Sequence, residues 1–375
     1  MELKELRDEI DRIDDQIAEL FEKRAAVAVD VAEYKRQHNM EIFQGGREEE
    51  VLRKSCGKIS PELQDGAKLF FTTLMDISKC RQQQMLTEIK PFTVGNEISS
   101  PTVGAVTKGS YTADACRKFC GRDCRITYFQ DFSAVFEAVE NGEIDYGVIP
   151  IENSTAGDVS MTYNLMIKHK FYICRGTKIR INHVLAAKKG ARLSDIKVAV
   201  SHEMALKQCS NYLEEMKFAV EEAGSTAKAA ESVAAGNDKT VAAICSASCA
   251  RLFGLDVLAE DIIDIKDNYT RFIMISRDLQ VPDNASIVSL CLTVPHTAGS
   301  LYRLLTKFAY CGLNLCRIES KPMPDSLAYL KDDAFDFIFY LDFIGSIKEE
   351  KVLKLLTGLE HEMKFYRFLG NYEEL

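Results

Sequence analysis

The 375-residue sequence predicts three units of different class joined in series. They are an all-helical unit over residues 1–91, a two-lobed α/β unit over 101–280, and a small α+β unit of βαββαβ order over 285–375. Three observations carry this reading. Apolar residues step by three and four through the first segment. Short β-branched runs alternate with amphipathic stretches through the second, and the third changes to a strand–helix–strand–strand–helix–strand rhythm. Pro91 and the polar stretch 93–101 separate the first two units, and the length suits domains of roughly 100–200 residues.

In the first unit Leu3, Leu6, Ile10, Ile13, Ile17, Leu20, Val27 and Val31 form the seam of a long amphipathic helix that packs against other helices. Helical stretches at 47–56 and, after Pro61, at 63–87 follow it. In the second, strand-like runs at 102–106, 146–151, 197–200 and 241–245 alternate with helical stretches such as 113–119, 133–139 and 204–215. Crossover units, mostly parallel sheets and a ligand cleft between two lobes follow from that alternation. The third has strands at 286–294, 314–320, 335–344 and 363–369 and helices at 300–311 and 348–360, the ferredoxin-like order.

Composition excludes several classes of function. With 46% apolar and 27% charged residues the chain is an ordinary folded protein. No apolar run reaches the ~20 residues that span a bilayer. The N-terminus is charged from its second residue, unlike a secretory signal, so a cytoplasmic protein without a membrane partner is expected. A net charge of −9 argues against nucleic acid as a partner. It leaves room for small anionic substrates held by a few arginines. Of the twelve cysteines, Cys116, Cys120 and Cys124 recur every four residues, as do Cys245 and Cys249. No CxxC pair occurs, and no histidine stands at metal-ligand spacing beside them. Reduced thiols packed as small apolar groups and no metal are expected, a reactive or metal-bound cysteine being the alternative.

By its own arithmetic the first seam should be apolar at position 24, which is Arg24. A guanidinium there is costly unless an anion or several acceptors pair with it. Lys35, eleven residues on and about three turns away, returns to nearly the same face. Two readings fit: a buried salt bridge or snorkelling stem, or a pair of cations aimed at an anionic ligand. Arg47 and Glu48 open the second helix, and Ser78 and Gln82 lie one turn apart on the third. These features resemble the all-helical chorismate mutases, specifically the mutase domain at the front of bifunctional prephenate dehydratases. The likeness covers LRDEIDRIDDQIAELFEKRAAVAVDVAEYK, the arginine-glutamate of GGREEEVL, and MDISKCRQQ.

The resemblance implies a pocket lined by Arg7, Arg24, Lys35, Arg47, Glu48, Ser78 and Gln82. Arg7, Arg24 and Arg47 would hold carboxylates, Lys35 and Gln82 would flank the ether oxygen of chorismate, and Glu48 would take the substrate hydroxyl. Gln44 stands where the family usually has an acidic residue. The rearrangement is unimolecular and needs no cofactor; it needs a folded dicarboxylate and donors for the charge on the breaking ether. Arg7 is seventeen residues from Arg24, roughly 25 Å along a helix. If both serve one site, Arg7 comes from a second chain, and a homodimer or higher homo-oligomer follows.

In the middle unit Ser, Thr and Asn recur where strands pass into helices, in KGSYTADA, IPIENSTAG, AVSHEMALKQC, STAKAA and NYTRF. Such residues act as caps or as anion sites. GEIDYGVIPIENS and NYTRF resemble the prephenate dehydratase domain. The resemblance implies Thr270 as the hydroxyl that assists the leaving group and Arg271 on a carboxylate, with Asn153, Ser201, Gln208, Ser225 and Thr226 shaping the rest of the pocket. Val106 replaces a family glycine ahead of GSY. Aromatisation drives loss of CO2 and water, so modest general-acid help suffices.

VPHTAGSLYRLLTKFAYCGLNLCRIESKP resembles the ACT regulatory domain of dehydratases. It implies phenylalanine bound around Gly299, Ser300, Leu301, Glu319 and Ser320, with Lys321 where the family usually has arginine. A structural αβ domain without a ligand fits the same rhythm. The function expected is that of a bifunctional enzyme taking chorismate through prephenate to phenylpyruvate under phenylalanine feedback. The alternative is a non-catalytic amino-acid-sensing or ligand-binding protein on the same domains. Oxidative use of prephenate would need a GxGxxG fingerprint, which the sequence lacks.

Overall fold

A computed structural model of the chain describes residues 2–38, 40, 45–121, 123–154, 157–158, 160–330 and 337–375. Gln44 and the first residues of the strand expected at 335–344 lie outside them. Contacts divide the chain into two compact units, one of residues 1–92 with 290–368 and one of 93–289 with 369–375.

The first unit begins with three helices, α1 (Leu3–Gln37), α2 (Gly45–Cys56) and α3 (Gln64–Leu86). Glu2 and Glu5 close a capping box at the start of α1. Both α1 and α2 pack on α3. The α1 contact buries Ala28 and Ala32, whose short side chains let the helices approach. The seam expected to pack against other helices stays exposed in this chain at Leu3, Ile10, Ile17, Leu20 and Val27.

The second unit follows as β1 (Thr102–Val106), α4 (Tyr111–Cys120), β2 (Arg125–Phe129), α5 (Phe132–Asn141), β3 (Tyr146–Asn153), β4 (Gly157–Asp158), α6 (Ser160–His169) and β5 (Tyr172–Arg180). The chain then crosses to a second lobe, β6 (Val184–Ala187), β7 (Val198–Ser201), α7 (Glu203–Gln208), α8 (Ser210–Met216), β8 (Ala219–Glu222), α9 (Thr226–Ala235), β9 (Val241–Cys245), α10 (Ala247–Leu252) and β10 (Asp256–Ala259). It returns to the first lobe as β11 (Tyr269–Ser276).

The two lobes are present, but their sheets are mixed rather than mostly parallel. In the first, β5-β11-β3-β1-β2, β1 runs parallel to β2 and β3, while β11 runs antiparallel to both β3 and β5. In the second, β10-β6-β9-β7-β8, β7 runs parallel to β8 and β9 while β6 opposes β9 and β10. The physical reason is the double crossing. The returning strand β11 enters between β3 and β5 running against both.

Gly104 and Gly147 are register partners on β1 and β3. A Cβ on Gly104 would collide with Ile144, and one on Gly147 would sit 2.8 Å from Val135 Cγ1 of α5. The paired glycines make a floor on which α5 lies directly. Asp131 caps that helix through the Ala134 amide at 2.9 Å.

The remaining elements are β12 (Ile287–Leu292), α11 (Ser300–Tyr310), β13 (Leu315–Pro322), β14 (Phe337–Ile344), α12 (Glu350–Glu362) and β15 (Tyr366–Glu374), with strand order β13-β14-β12-β15. Both α11 and α12 pack on α3. The last strand, expected at 363–369, runs on to Glu374, and its end pairs with β5 through Glu373 and Glu374. Gly370 has φ +149°, and a Cβ there would strike the Ile173 carbonyl, so only glycine lets β15 bend over β5.

The cysteines are unpaired and mostly buried. Burial pushes the thiols of Cys174 and Cys291 up to about 12, the state of inert packing groups. Among the described residues no group of His, Cys, Asp and Glu could hold a metal, and no helix is long and apolar enough to cross a membrane.

The glycine floor makes a measurable claim. Gly147→Ala should destabilise the protein by about 1–3 kcal/mol through overpacking against α5, read as a fall in urea midpoint at unchanged m-value. An unshifted midpoint would mean that α5 simply rides outward.

Candidate functional site

In the helical segment, Arg24 is half-buried and donates from Nη1 to Ser78 Oγ at 2.5 Å and to the Leu74 carbonyl at 2.9 Å. Burial lowers the pKa of both Arg24 and Lys35 from their ordinary values. The charge in the apolar seam is therefore met by a hydroxyl and a carbonyl of α3. Glu48 reaches the same helix and accepts from Lys79 at 2.9 Å. Lys79 also pairs with Asp76 at 2.7 Å, and the two carboxylates raise its pKa against desolvation, the largest influence, which lowers it. Gln82 is 7% exposed, and its Oε1 has no hydrogen-bond partner among the described residues.

Arg24 of α1 thus meets Ser78 of α3, and Glu48 of α2 meets Lys79 of the same helix, with Lys35 further along α1 and Gln82 one turn beyond Ser78. Arg7 and Arg47 are exposed; Arg47 pairs with Glu50 at 2.7 Å. Sequence reasoning overlooked Lys79 and Asp76. Their i, i+3 spacing beside Ser78 was the available signal.

In the α/β unit, β11 and β3 are register partners at Thr270 and Asn153. Asn153 Nδ2 donates to Thr270 Oγ1 at 2.8 Å and to Asn268 Oδ1 at 3.0 Å. Thr270 is 9% exposed, so its hydroxyl stands at a nearly closed surface. The carboxylate that Arg271 meets is the chain's own. Its Nε donates to Glu374 Oε1 at 2.6 Å and its Nη2 to the Tyr372 hydroxyl at 2.8 Å. Thr270 and Arg271 are neighbours on an extended strand, so their side chains project from opposite faces of β11.

The two lobes meet through polar contacts. Tyr111, at the start of α4, donates to the Asn182 carbonyl at 2.7 Å and lies 3.2 Å from His183 Nδ1. His183 Nε2 lies 3.3 Å from Gln208 Oε1, which ties Gln208 to the crossing segment. Asp114 of α4 accepts from Ser248 of α10 at 2.6 Å. Gly109, with φ +85°, lets the loop before α4 press on Cys249, where a Cβ would lie 3.1 Å from the sulfur.

Ser201 is fully buried and donates to the Ile244 carbonyl at 2.6 Å, while Ser225 caps α9 through the Lys228 amide at 3.0 Å and Thr226 begins that helix. Those two serines have structural duties in this arrangement. His183 was missed by sequence reasoning, because its role depends on Tyr111 and Gln208, both distant in the chain.

In the α+β segment Gly299 has φ +83° and caps α11, and Thr297 and Ser300 share a hydroxyl contact at 2.8 Å. Leu301 follows in the first turn. Along β13, Arg317, Glu319 and Lys321 share one face, where Glu319 pairs with both cations. Ser320 projects from the other.

Residues 106–280 match the family described as Prephenate dehydratase, and residues 6–83 the family described as Chorismate mutase type II. The Bifunctional chorismate mutase/prephenate dehydratase of Aquifex aeolicus is 34% identical over 379 residues, covering 99% of this chain and 98% of that protein. Arogenate dehydratase/prephenate dehydratase 2 of Arabidopsis thaliana is 34% identical over 71% of this chain and 70% of its own. A solved structure of prephenate dehydratase in complex with L-Phe from Arthrobacter aurescens has a TM-score of 0.64 and 32% identity, covering 72% of this chain and 89% of that one.

His183 gives a test by pH. Burial holds its pKa down at about 4, against an ordinary 6.5. Between those values the unfolded chain binds a proton that the folded one refuses. Stability should be full above about pH 6.5 and fall by up to roughly 3 kcal/mol as pH drops toward 4. Urea titrations at pH 7 and pH 5 on the parent and on His183→Asn would check it. The variant should lose that part of the slope.

Proposed function

The chain belongs to the bifunctional chorismate mutase/prephenate dehydratase family, and on that premise we propose how its residues divide the work. It rearranges chorismate to prephenate, then removes carbon dioxide and water from prephenate to leave phenylpyruvate. We read residues 1–91 as the mutase domain, 101–280 as the dehydratase domain and 285–375 as a ferredoxin-like ACT domain. The strand order β13-β14-β12-β15 supports the last assignment. Residues 369–375 also complete the α/β unit.

The observation that carries the mutase reading is Arg24, a desolvated cation in an apolar seam beside Ser78. Arg24 and Arg47 take substrate carboxylates, Lys35 and the Gln82 amide flank the ether oxygen, Ser78 orients Arg24, and Glu48, steadied by Lys79, takes the hydroxyl. In a dry pocket these donors stabilise charge that grows as the ether breaks, and they hold the dicarboxylate folded for reaction. The exposed apolar seam of α1 supports a second copy of the chain lying along it. That copy brings the third carboxylate ligand, Arg7.

In the dehydratase, Thr270 receives a hydrogen bond from Asn153, which leaves its own proton to give to the substrate. The carboxylate leaves as carbon dioxide, its bonding electrons enter the ring, and the C–O bond breaks as Thr270 gives its proton to the departing hydroxyl, which leaves as water while solvent returns a proton to Thr270. Gln208, Ser201, Ser225 and Thr226 shape the second lobe's wall. Arg271, held by Glu374, supports the strand that carries Thr270. Phenylalanine binds the third domain around Gly299, Ser300, Leu301, Glu319 and Ser320, a reading supported by L-Phe in the Arthrobacter aurescens relative. The positive φ of Gly299 opens the α11 amides toward such a ligand.

Arg24→Ala should abolish chorismate rearrangement while added prephenate is still dehydrated. Mixing Arg24→Ala with Arg7→Ala chains should restore part of the mutase activity, since one of the two shared pockets then carries no lesion. Inactivity despite demonstrated subunit exchange would remove the shared pocket.

Thr270→Val keeps shape and deletes the hydroxyl. Dehydratase kcat should fall about 10²–10⁴-fold with prephenate affinity little changed. Near-normal turnover would place the acid elsewhere.

A further inference from the structure

Helix α3 has two working faces. Phe71, Met75, Ser78 and Gln82, spaced four, three and four, share the face that meets Arg24. Asp76, Cys80, Gln83 and Thr87 repeat the same spacing on the other side. That second face rests on α11 and α12, in the same compact unit. At its centre the Gln83 side chain is gripped from both ends. Its Oε1 accepts from Lys307 of α11 at 3.2 Å, and its Nε2 donates to Glu362 of α12 at 3.0 Å. Lys307, 9% exposed, closes the triangle by donating to the same Glu362 oxygen at 2.6 Å.

Gln83 also lies flat against Gly358, where a Cβ would stand 3.8 Å from its amide oxygen. Flanking contacts continue the grip: Thr73 Oγ1 with the Tyr302 hydroxyl at 2.8 Å, and Gln84 Nε2 with Cys311 Sγ at 3.4 Å.

We propose that Gln83 is a positioning residue for the mutase, and that Lys307 and Glu362 of the C-terminal module set the rotation of α3 from outside the pocket. Gln83 adjoins Gln82 in the chain, so a roll of α3 about its axis that releases Gln83 swings Gln82 and Ser78 by the same angle. Among the described residues, no hydrogen bond on the pocket side grips Gln82 Oε1. A helix carrying catalytic amides must be held to a fraction of an ångström, and a displacement of about 1 Å can cost 10²-fold in rate. The clamp supplies that hold while touching no substrate.

The proposal rests on the mutase reading of Arg24, Ser78 and Gln82, and the test separates the two. Full-length Gln83→Leu and Lys307→Met chains should lose roughly tenfold or more in mutase kcat with KM changed less than about twofold. Dehydratase turnover in the same molecules should stay at the parent value. Glu362→Gln, the mildest change, serves if either folds poorly and should show a smaller loss of the same kind.

The decisive variant is the exchange Gln83→Glu with Glu362→Gln. It rebuilds all three hydrogen bonds around Lys307 with the charge moved across, and should recover most of the lost kcat. Unchanged mutase kcat in the single variants, or a parallel fall in both activities, overturns the clamp. So does failure of the exchange to rescue. Arg24→Ala is assayed alongside. If it retains mutase activity, the pocket itself is misassigned, whatever the clamp variants do.

Discussion

A buried guanidinium has to be answered by an acceptor, and in the α/β unit Arg271 is answered by Glu374, 103 residues further along the chain. Tyr372 completes the arrangement with its hydroxyl, which Ser289 also contacts at 2.8 Å. An unpaired charge there would cost several kcal/mol. The pairing therefore fixes which face of β11 looks inward and which looks toward Asn153. A slip of one residue would exchange Arg271 and Thr270 between those faces. The hydroxyl at the site is directed by an ion pair that never reaches it.

The same economy of neighbours recurs elsewhere. Gln82 and Gln83 are adjacent yet face different partners, because a helix turns 100° per residue. Glu319 and Ser320 are adjacent on opposite faces of β13. Each of these elements joins a chemical face to a structural one, and the structural one sets the angle. This suits two reactions that ask for little covalent chemistry. A rearrangement and a fragmentation that ends in an aromatic ring need placement and modest charge stabilisation, and both depend on rigid support.

Much of this was legible in the residues. The break at Arg24 in an otherwise apolar seam falls where α1 meets Ser78 of α3, and the runs at 102–106 and 241–245 coincide with strands β1 and β9. What escaped was set by partners far apart in sequence. Nothing local announces that Arg271 meets Glu374, that Lys79 bridges Glu48 and Asp76, or that His183 sits between Tyr111 and Gln208. Alternation suggested parallel sheets because it records element order, whereas the direction of β11 depends on where the chain returns. Ser201 and Ser225 looked like ligands from their place at strand and helix ends, and the structure engages both with backbone. The same hydroxyl does either job, and only its neighbours decide.

Glu373 and Glu374 pair with β5, yet residues 290–368 lie between them and the rest of their unit. On the ribosome, the α/β unit emerges with one edge of β5 bare and Arg271 without its counter-ion. It must wait in that state while the whole intervening module is translated. A bare edge is the feature by which strands of neighbouring nascent chains find each other. The interval between synthesis of β11 and of β15 is therefore when this protein is most exposed to misassembly. Slowing elongation across that stretch would lengthen the hazard without altering a single residue of the finished fold.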